Sequence, residues 1–328
     1  LERDLAKYNS WVTSLPLHLQ YPRQLPTFAT LPNLGNSCFL NAAMFLLAMC
    51  EQLPIYLRGP HISRWTDIIT SLKYGSVTSA DIAKLFHTLE QRLKAGPQDP
   101  NDILQPFFED LKKDCPDTHR LFETIHREKT VCHQCRHRQT KRYGQTNVSL
   151  AIPKPYDQTL RLGELLNQNL EVTGDRHHRR CVKCEKITEH STAVQILRYA
   201  KVLIANIPRL LNKKTKITAA IQTEPIVYLT DPADSNIKKS LLRFQERAQM
   251  HHCDGTRIRP DSIPASYSSV STGHFVTYQR NNNYVLLHND KQAHLYNNQF
   301  LRLHQRKVVM SLLVQQPCLT SRRPQVTL

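Results

Sequence analysis

Residues 31–42 read Leu-Pro-Asn-Leu-Gly-Asn-Ser-Cys-Phe-Leu-Asn-Ala. A polar Gly/Asn turn runs into an apolar, helix-forming stretch, with Cys38 at or near the helix start. The positive end of a helix dipole favours thiolate over thiol, and the thiolate is the nucleophile. Gly35 lets the chain bend there without a Cβ clash, and Asn33 can aim an amide donor at an oxyanion. A cysteine nucleophile needs a base, and the base needs a group that orients it. Gly273-His274-Phe275-Val276-Thr277-Tyr278 and the segment from Tyr284 to Asp290 flank Asn281-Asn282-Asn283, a β-hairpin signal. Such a hairpin returns Asn289 or Asp290 beside His274, so that His274 takes the Cys38 proton and its neighbour holds the imidazole tautomer. Two further pairs, Cys132-x-x-Cys135 and Cys181-x-x-Cys184, each offer two thiolates from one tight turn. Together they suit a closed, structural four-cysteine zinc (Zn2+) site.

The elements that must hold these groups change type along the chain. The apolar run from Asn41 to about Leu57 predicts a helix behind Cys38. Helical patterns follow at 62–73, 79–94, 101–113 and 117–126. In 79–94, Ile82, Leu85, Phe86, Leu89 and Leu93 recur at helical spacing behind Ser79 as N-cap. Strand patterns come later, at Thr146–Pro153, Thr192–Ala200, Val202–Ile207 and the His274 hairpin. Helices first and strands afterwards predict an α+β fold. With 328 residues, 40% of them hydrophobic, the chain is no disordered polymer. It contains no run of about 18 apolar residues, which excludes a transmembrane helix. Nine cysteines cannot all pair, and the C-x-x-C spacing points to a reducing compartment, cytoplasmic or nuclear. The start at Leu1, without Met or signal-peptide pattern, predicts an excised domain or processed product.

The segment around Cys38 closely resembles the cysteine box of the ubiquitin-specific proteases, through Leu31, Asn33, Gly35, Asn36, Ser37, Cys38, Phe39, Leu40, Asn41 and Ala42. The resemblance implies Cys38 as nucleophile and Asn33 as oxyanion donor. The family's histidine box matches at Gly273, His274, Tyr278, Asn289 and Asp290; Phe275 replaces its Tyr, and its Trp is absent. His274 is then the base, Asn289 the third member, and Asp290 a second candidate that can instead support the oxyanion. Gln98-Asp99-x-x-Asp102 resembles a segment whose acidic residues hold the arginine-bearing ubiquitin tail, while Gly273 and Phe275 border the substrate. The four cysteines fall where that family carries a zinc-tipped insertion. The implied fold is papain-like, with a helical thumb at about 28–125, β fingers at about 126–220 and a β palm at about 190–310. The catalytic domain would cover 28–310, after a lead-in at 1–27 and before a C-terminal strand or tail at 311–328. The implied partners are ubiquitin or a ubiquitin-like protein and the ubiquitinated protein substrate, with no membrane.

The formal charge is +17, and residues 121–220 hold 19 Lys and Arg against 8 Asp and Glu. Arg136, Arg138, Lys141, Arg142, Arg176, Arg179, Arg180 and Lys183 surround the cysteine pairs. This is either a solvated face or a docking surface for an acidic partner or nucleic acid. Two other readings stand beside the protease: a ubiquitin-binding pseudoenzyme, and a basic zinc protein that binds nucleic acid.

Overall fold

Eleven consecutive buried residues make the helix that begins at Cys38: α1, Cys38–Ala48. A helix apolar on all sides belongs inside a protein, with other elements covering every face. In this computed structural model the described residues are 30–34, 37–50, 53, 57–74, 77–90, 100–156, 158–169, 171–174, 176–209, 217, 219–232, 240–254, 273–280, 284–289, 292–297, 305 and 308–316. On one side α1 meets α2 (Ser63–Tyr74), α3 (Ser79–Glu90) and α4 (Pro100–Asp114). Trp65 packs edge-on to Phe107 at 5.4 Å, and Phe108 joins Phe107 to Phe122, with ring centroids 5.1 Å apart in each pair. The Trp65 indole donates to the buried Asp110 carboxylate at 3.0 Å, which satisfies both polar groups. Asp114, at the end of α4, accepts from the backbone N–H groups of His61 and Ile62, each at 2.8 Å, and so fixes the entry into α2.

Three helical expectations change. Thr78, not Ser79, caps α3: its hydroxyl accepts from the Asp81 N–H at 3.2 Å, and Ser79 is already helical. α1 ends at Ala48, well before Leu57, because Met49 and Cys50 turn the chain away. The expected helix at 117–126 is only α5 (Pro116–His119) and one 3-10 turn at Arg120–Phe122. From Thr124 onward the chain is strand, since the alternation Thr124, His126, Thr130, Cys132 buries one face against neighbouring strands.

That strand, β1 (Thr124–Cys132), starts the fingers sheet. Its order is β2 (Arg138–Gln145), β1, β7 (Ile187–Arg198), β5 (Glu171–Thr173), with β6 (His177–Arg180) also on β7. The palm is an eight-stranded sheet. It runs β14 (Gln292–Asn297), β13 (Tyr284–Asn289), β12 (Gly273–Arg280), β11 (Leu241–Asp254), β15 (Val308–Gln315), β8 (Val202–Asn206) and β3 (Val148–Ser149), with β10 (Ile226–Thr230) beside β11. Only β3 of the expected Thr146–Pro153 strand forms, as a two-residue parallel pair with β8. β4 (Thr159–Arg161) and β9 (Ala220–Gln222) pair in parallel next to α6 (Leu162–Gln168). α6 packs Leu162, Leu165 and Leu166 under the palm with Ile196, Leu203 and Phe244.

A buried polar knot ties the palm strands together. Glu246 on β11 accepts from Arg280 of β12 at 2.8 Å, from Ser311 of β15 at 2.6 Å and from Gln249 at 2.9 Å. Glu246 and Arg280 are 1% and 8% exposed, so neither charge has water to fall back on. Nearby, the guanidinium of Arg209 donates to the carbonyls of Val308, Ile217, Ala219 and Gln305. Its burial lowers the Arg209 pKa to about 10. Glu246→Leu leaves Arg280 buried without its counter-charge, and is expected to cost about 3–5 kcal/mol in urea unfolding. Adding Arg280→Met should restore most of that loss, and an undiminished loss in the double variant would show that the pair is not the unit of stability.

Candidate active site

Ser37 and Asn41 hold the loop before α1. Ser37 makes no N-cap bond to its own helix. Its hydroxyl accepts from the Leu34 N–H at 3.0 Å and donates to the Asn33 carbonyl oxygen, Oδ1, at 3.4 Å. An amide whose oxygen is held in this way has its NH2 end directed elsewhere. Asn33 itself is exposed. The buried Asn41, one turn into the helix, donates to the Pro32 carbonyl at 3.2 Å. These contacts fasten the loop to the start of α1. Cys38 is the first helical residue and is 9% exposed.

α1 lies across the palm hairpin. The Thr277 hydroxyl donates to the Ala42 carbonyl at 2.9 Å, and Phe45 stacks on His288 with ring centroids 4.4 Å apart. Thr277 and His288 are themselves ladder partners on β12 and β13. The helix that carries Cys38 therefore sits on the two strands that carry His274 and Asn289. His274 is half-buried and pairs with Cys253 of β11. Asn289 ends β13, one step beyond the Thr277–His288 pair and toward the His274 end of β12. Gly273 opens β12. Phe275 packs against the thumb core and lies 4.7 Å from the His252 ring. Asp102 is exposed in the first turn of α4, and its neighbour Asn101 accepts from Asn147 at 3.0 Å. Gln98, Asp99 and Asp290 lie outside the described residues, as does the turn at 281–283.

The two cysteine pairs are built alike. Cys132 N–H bonds to the His137 carbonyl at 3.0 Å and Arg136 N–H to the Cys132 carbonyl at 3.0 Å. Cys181 N–H bonds to Lys186 and Glu185 N–H to Cys181, each at 2.9 Å. Arg136 and Glu185, each one past its pair, take positive φ values of 58° and 57°. The four sulfurs lie within 4.8 Å of one another. Backbone N–H groups aimed at the sulfurs, with the Thr188 hydroxyl, lower Cys132 to about 5. Backbone N–H groups likewise lower Cys181 to about 7. Cys135 goes the other way: the His137 N–H favours its thiolate, but desolvation and the neighbouring sulfurs push it up to about 11. Four crowded thiols cannot all ionise together unless a cation lies among them, so the donor set fits a tetrahedral, thiolate-loving metal.

The family model described as ubiquitin carboxyl-terminal hydrolase matches residues 29–310, most of the chain. The chain belongs to that family. It is a deubiquitinating cysteine protease, with the mixed α/β papain-like fold. Its structure is similar to that of a chain in the SAGA Ubp8/Sgf11/Sus1/Sgf73 DUB module bound to ubiquitin aldehyde, with a TM-score of 0.63 and 16% identity. The match covers 95% of this chain and 74% of that one. The yeast SAGA DUB module with an Sgf73 mutant matches equally, at 0.63, 16%, 95% and 74%. A search of curated proteins found no match. Among the described residues, no helix is long and apolar enough to cross a membrane.

Each hydrolase chain is expected to retain about one divalent metal ion after exhaustive dialysis, the stoichiometry of a closed four-thiolate site. Cys132→Ser or Cys184→Ser should lower that content several-fold in elemental analysis. A wild-type chain that refolds in zinc without retaining any would rule out a metal centre here.

Proposed function

We propose that this hydrolase cleaves the bond after the C-terminal Gly of ubiquitin, or of a ubiquitin-like modifier, on protein substrates, with Cys38 as nucleophile. The observation that supports it most is the seating of the Cys38 helix on the β12–β13 hairpin through Thr277 and Phe45. In this reading His274 takes the proton from the Cys38 thiol, and the thiolate attacks the Gly carbonyl carbon. Asn33 and the backbone N–H groups at the start of α1 hold the oxyanion. His274 then returns the proton to the leaving lysine amine, and Asn289, or Asp290, holds its tautomer. Water, deprotonated by His274, hydrolyses the thioester and restores the thiol.

Gln98, Asp99 and Asp102 receive the basic ubiquitin tail, since carboxylates pair well with guanidinium groups. Gly273 and Phe275 border that channel. The metal held by Cys132, Cys135, Cys181 and Cys184 is zinc in a structural role. The set has no fourth position left open for substrate. In this assignment the thumb covers about 28–125, the insertion that carries the fingers about 126–220 and the palm about 190–310, with β3 and α6 of the insertion packing on the palm sheet. The reduced cysteines suit the cytoplasm or nucleus.

A ubiquitin C-terminal propargyl probe is expected to label the wild-type chain and to leave Cys38→Ala unlabelled, as read by gel shift and mass. Labelling of Cys38→Ala at the wild-type rate would overturn the assignment. Asn33→Ala should lower kcat on a fluorogenic ubiquitin amide by about 100-fold or more. Its KM should change little, because an oxyanion donor acts in the transition state.

A further inference from the structure

Residues 124–145 and 176–198 of the fingers carry twelve Lys and Arg against three Glu. Neither the hydrolytic site nor the cysteine centre uses this charge. The ladder register sorts it by face. Arg127 opposes Arg142, Lys129 opposes Thr140, and Val131 opposes Arg138. Opposed residues of an antiparallel ladder share a face, as do residues two apart along a strand. Arg127, Lys129, Arg138 and Arg142 therefore stand on one side of β1–β2. The other side is different: there Thr124, His126, Thr130 and Cys132 are buried, leading to the cysteine centre. On the basic side Lys129, Arg138 and Arg142 are exposed and Arg127 is half-buried.

Two features of this face point to a missing anion. Like charges directly opposed across a strand pair disfavour that pairing, yet Arg127 faces Arg142 with Lys129 beside them. Moreover, one Arg127 NH2 group donates to the Gln195 side-chain oxygen, while its buried Nε has no hydrogen-bond partner among the described residues. No carboxylate among the described residues forms an ion pair with these four cations. Glu128 belongs to the opposite face. Glu189 is engaged by Arg176 at 3.5 Å and lies 3.8 Å from the His133 ring nitrogen. Glu171 holds a register position opposite Gln195 on this same face, two strands from Arg127, one carboxylate against four cations.

The kind of anion follows from the geometry. Three of the four cations are arginine, whose planar fork matches phosphate oxygens bidentately. Their register positions are spaced by about 4.8 Å across strands and by about 6.7 Å or twice that along them. A nucleic-acid duplex presents one phosphate charge per about 1.7 Å of axis, dense enough to serve all four at once. β2 is a sheet edge, and every residue of it except Tyr143 is exposed. β1 is itself paired with β7, so this face meets a phosphate backbone as the edge of a five-stranded sheet and not as a free ribbon in a groove.

We propose that the face of β1–β2 bearing Arg127, Lys129, Arg138 and Arg142 binds the phosphate backbone of a nucleic acid. The proposal is independent of which bond Cys38 attacks. The test uses the full chain and a fluorescein-labelled DNA duplex of about 20 base pairs, read by anisotropy between about 50 and 200 mM salt. The observed affinity should fall with salt on a log–log slope of about −3 to −4. Arg127→Gln/Lys129→Gln/Arg142→Gln should bring the slope to about −1 and weaken low-salt binding more than about tenfold. Its melting temperature should not fall, because the like-charge opposition is gone. Arg142→Gln alone, at an exposed site, should reduce the slope by about one. Lys183→Gln/Lys186→Gln, in the turn between β6 and β7 and outside the β1–β2 ladder, should change affinity less than about threefold. Absence of binding at low salt, a triple variant or an Arg142→Gln variant with the wild-type slope, or an equal loss in the Lys183/Lys186 variant would overturn the proposal. Displacement of the duplex by poly-glutamate at equal charge concentration would also overturn it, and would give the face to acidic proteins.

Discussion

The seating of α1 on the palm is the constraint on which the rest of the molecule depends. An eleven-residue helix is marginal in water, and nothing in its own sequence keeps Cys38 at a defined place. Burial on every side does. The thumb helices close one flank through Trp65, Phe107 and Leu111, and the palm closes the other through Ala248, Met250 and Met310. Within that packing the two directional contacts, Thr277 to Ala42 and Phe45 on His288, set where the helix crosses the hairpin. A close-packed interior does not deform gradually, so Cys38 inherits the rigidity of the core behind it.

The palm in turn is assembled from distant parts of the chain. β15, the last described strand, lies between β11 and β8, so the sheet closes only when the C-terminal segment docks. The Glu246, Arg280 and Ser311 knot joins β11, β12 and β15 at that seam. A buried ion pair adds little net stability over apolar packing, but it penalises any register that leaves one charge alone. The same register places His274 and Asn289 on adjacent strands.

The fingers follow a different logic. Their buried face holds His126, Thr130, Thr188 and His190 where a self-sufficient sheet would have aliphatic side chains. Such a tip cannot rely on apolar burial, and the four gathered sulfurs of two matched knuckles are a donor set through which a metal would supply the cross-link instead. Freed from making a core, the opposite face can carry cations at register positions that a folding sheet would otherwise avoid.

Local chemistry was legible in the sequence. The polar turn before Cys38, the two C-x-x-C pairs and the hairpin signal around Asn281–Asn283 each depend on a few adjacent residues. So did the change from helical to alternating patterns, which gave the α+β class. The extent of α1, the break of the expected 117–126 helix at Phe122 and the near-absence of the Thr146–Pro153 strand were not legible. Those ends are set by what packs against them. Ser37 and Asn41 could be read as members of a motif, but their hydrogen bonds back to Asn33 and Pro32 exist only once the loop folds over the helix. The sequence by itself thus determined which side chains can do chemistry and which local element presents each one. Tertiary structure decided which of them meet, because strand register and helix seating are settled by contacts between segments as far apart as Ala42 and Thr277. No local propensity encodes that pairing.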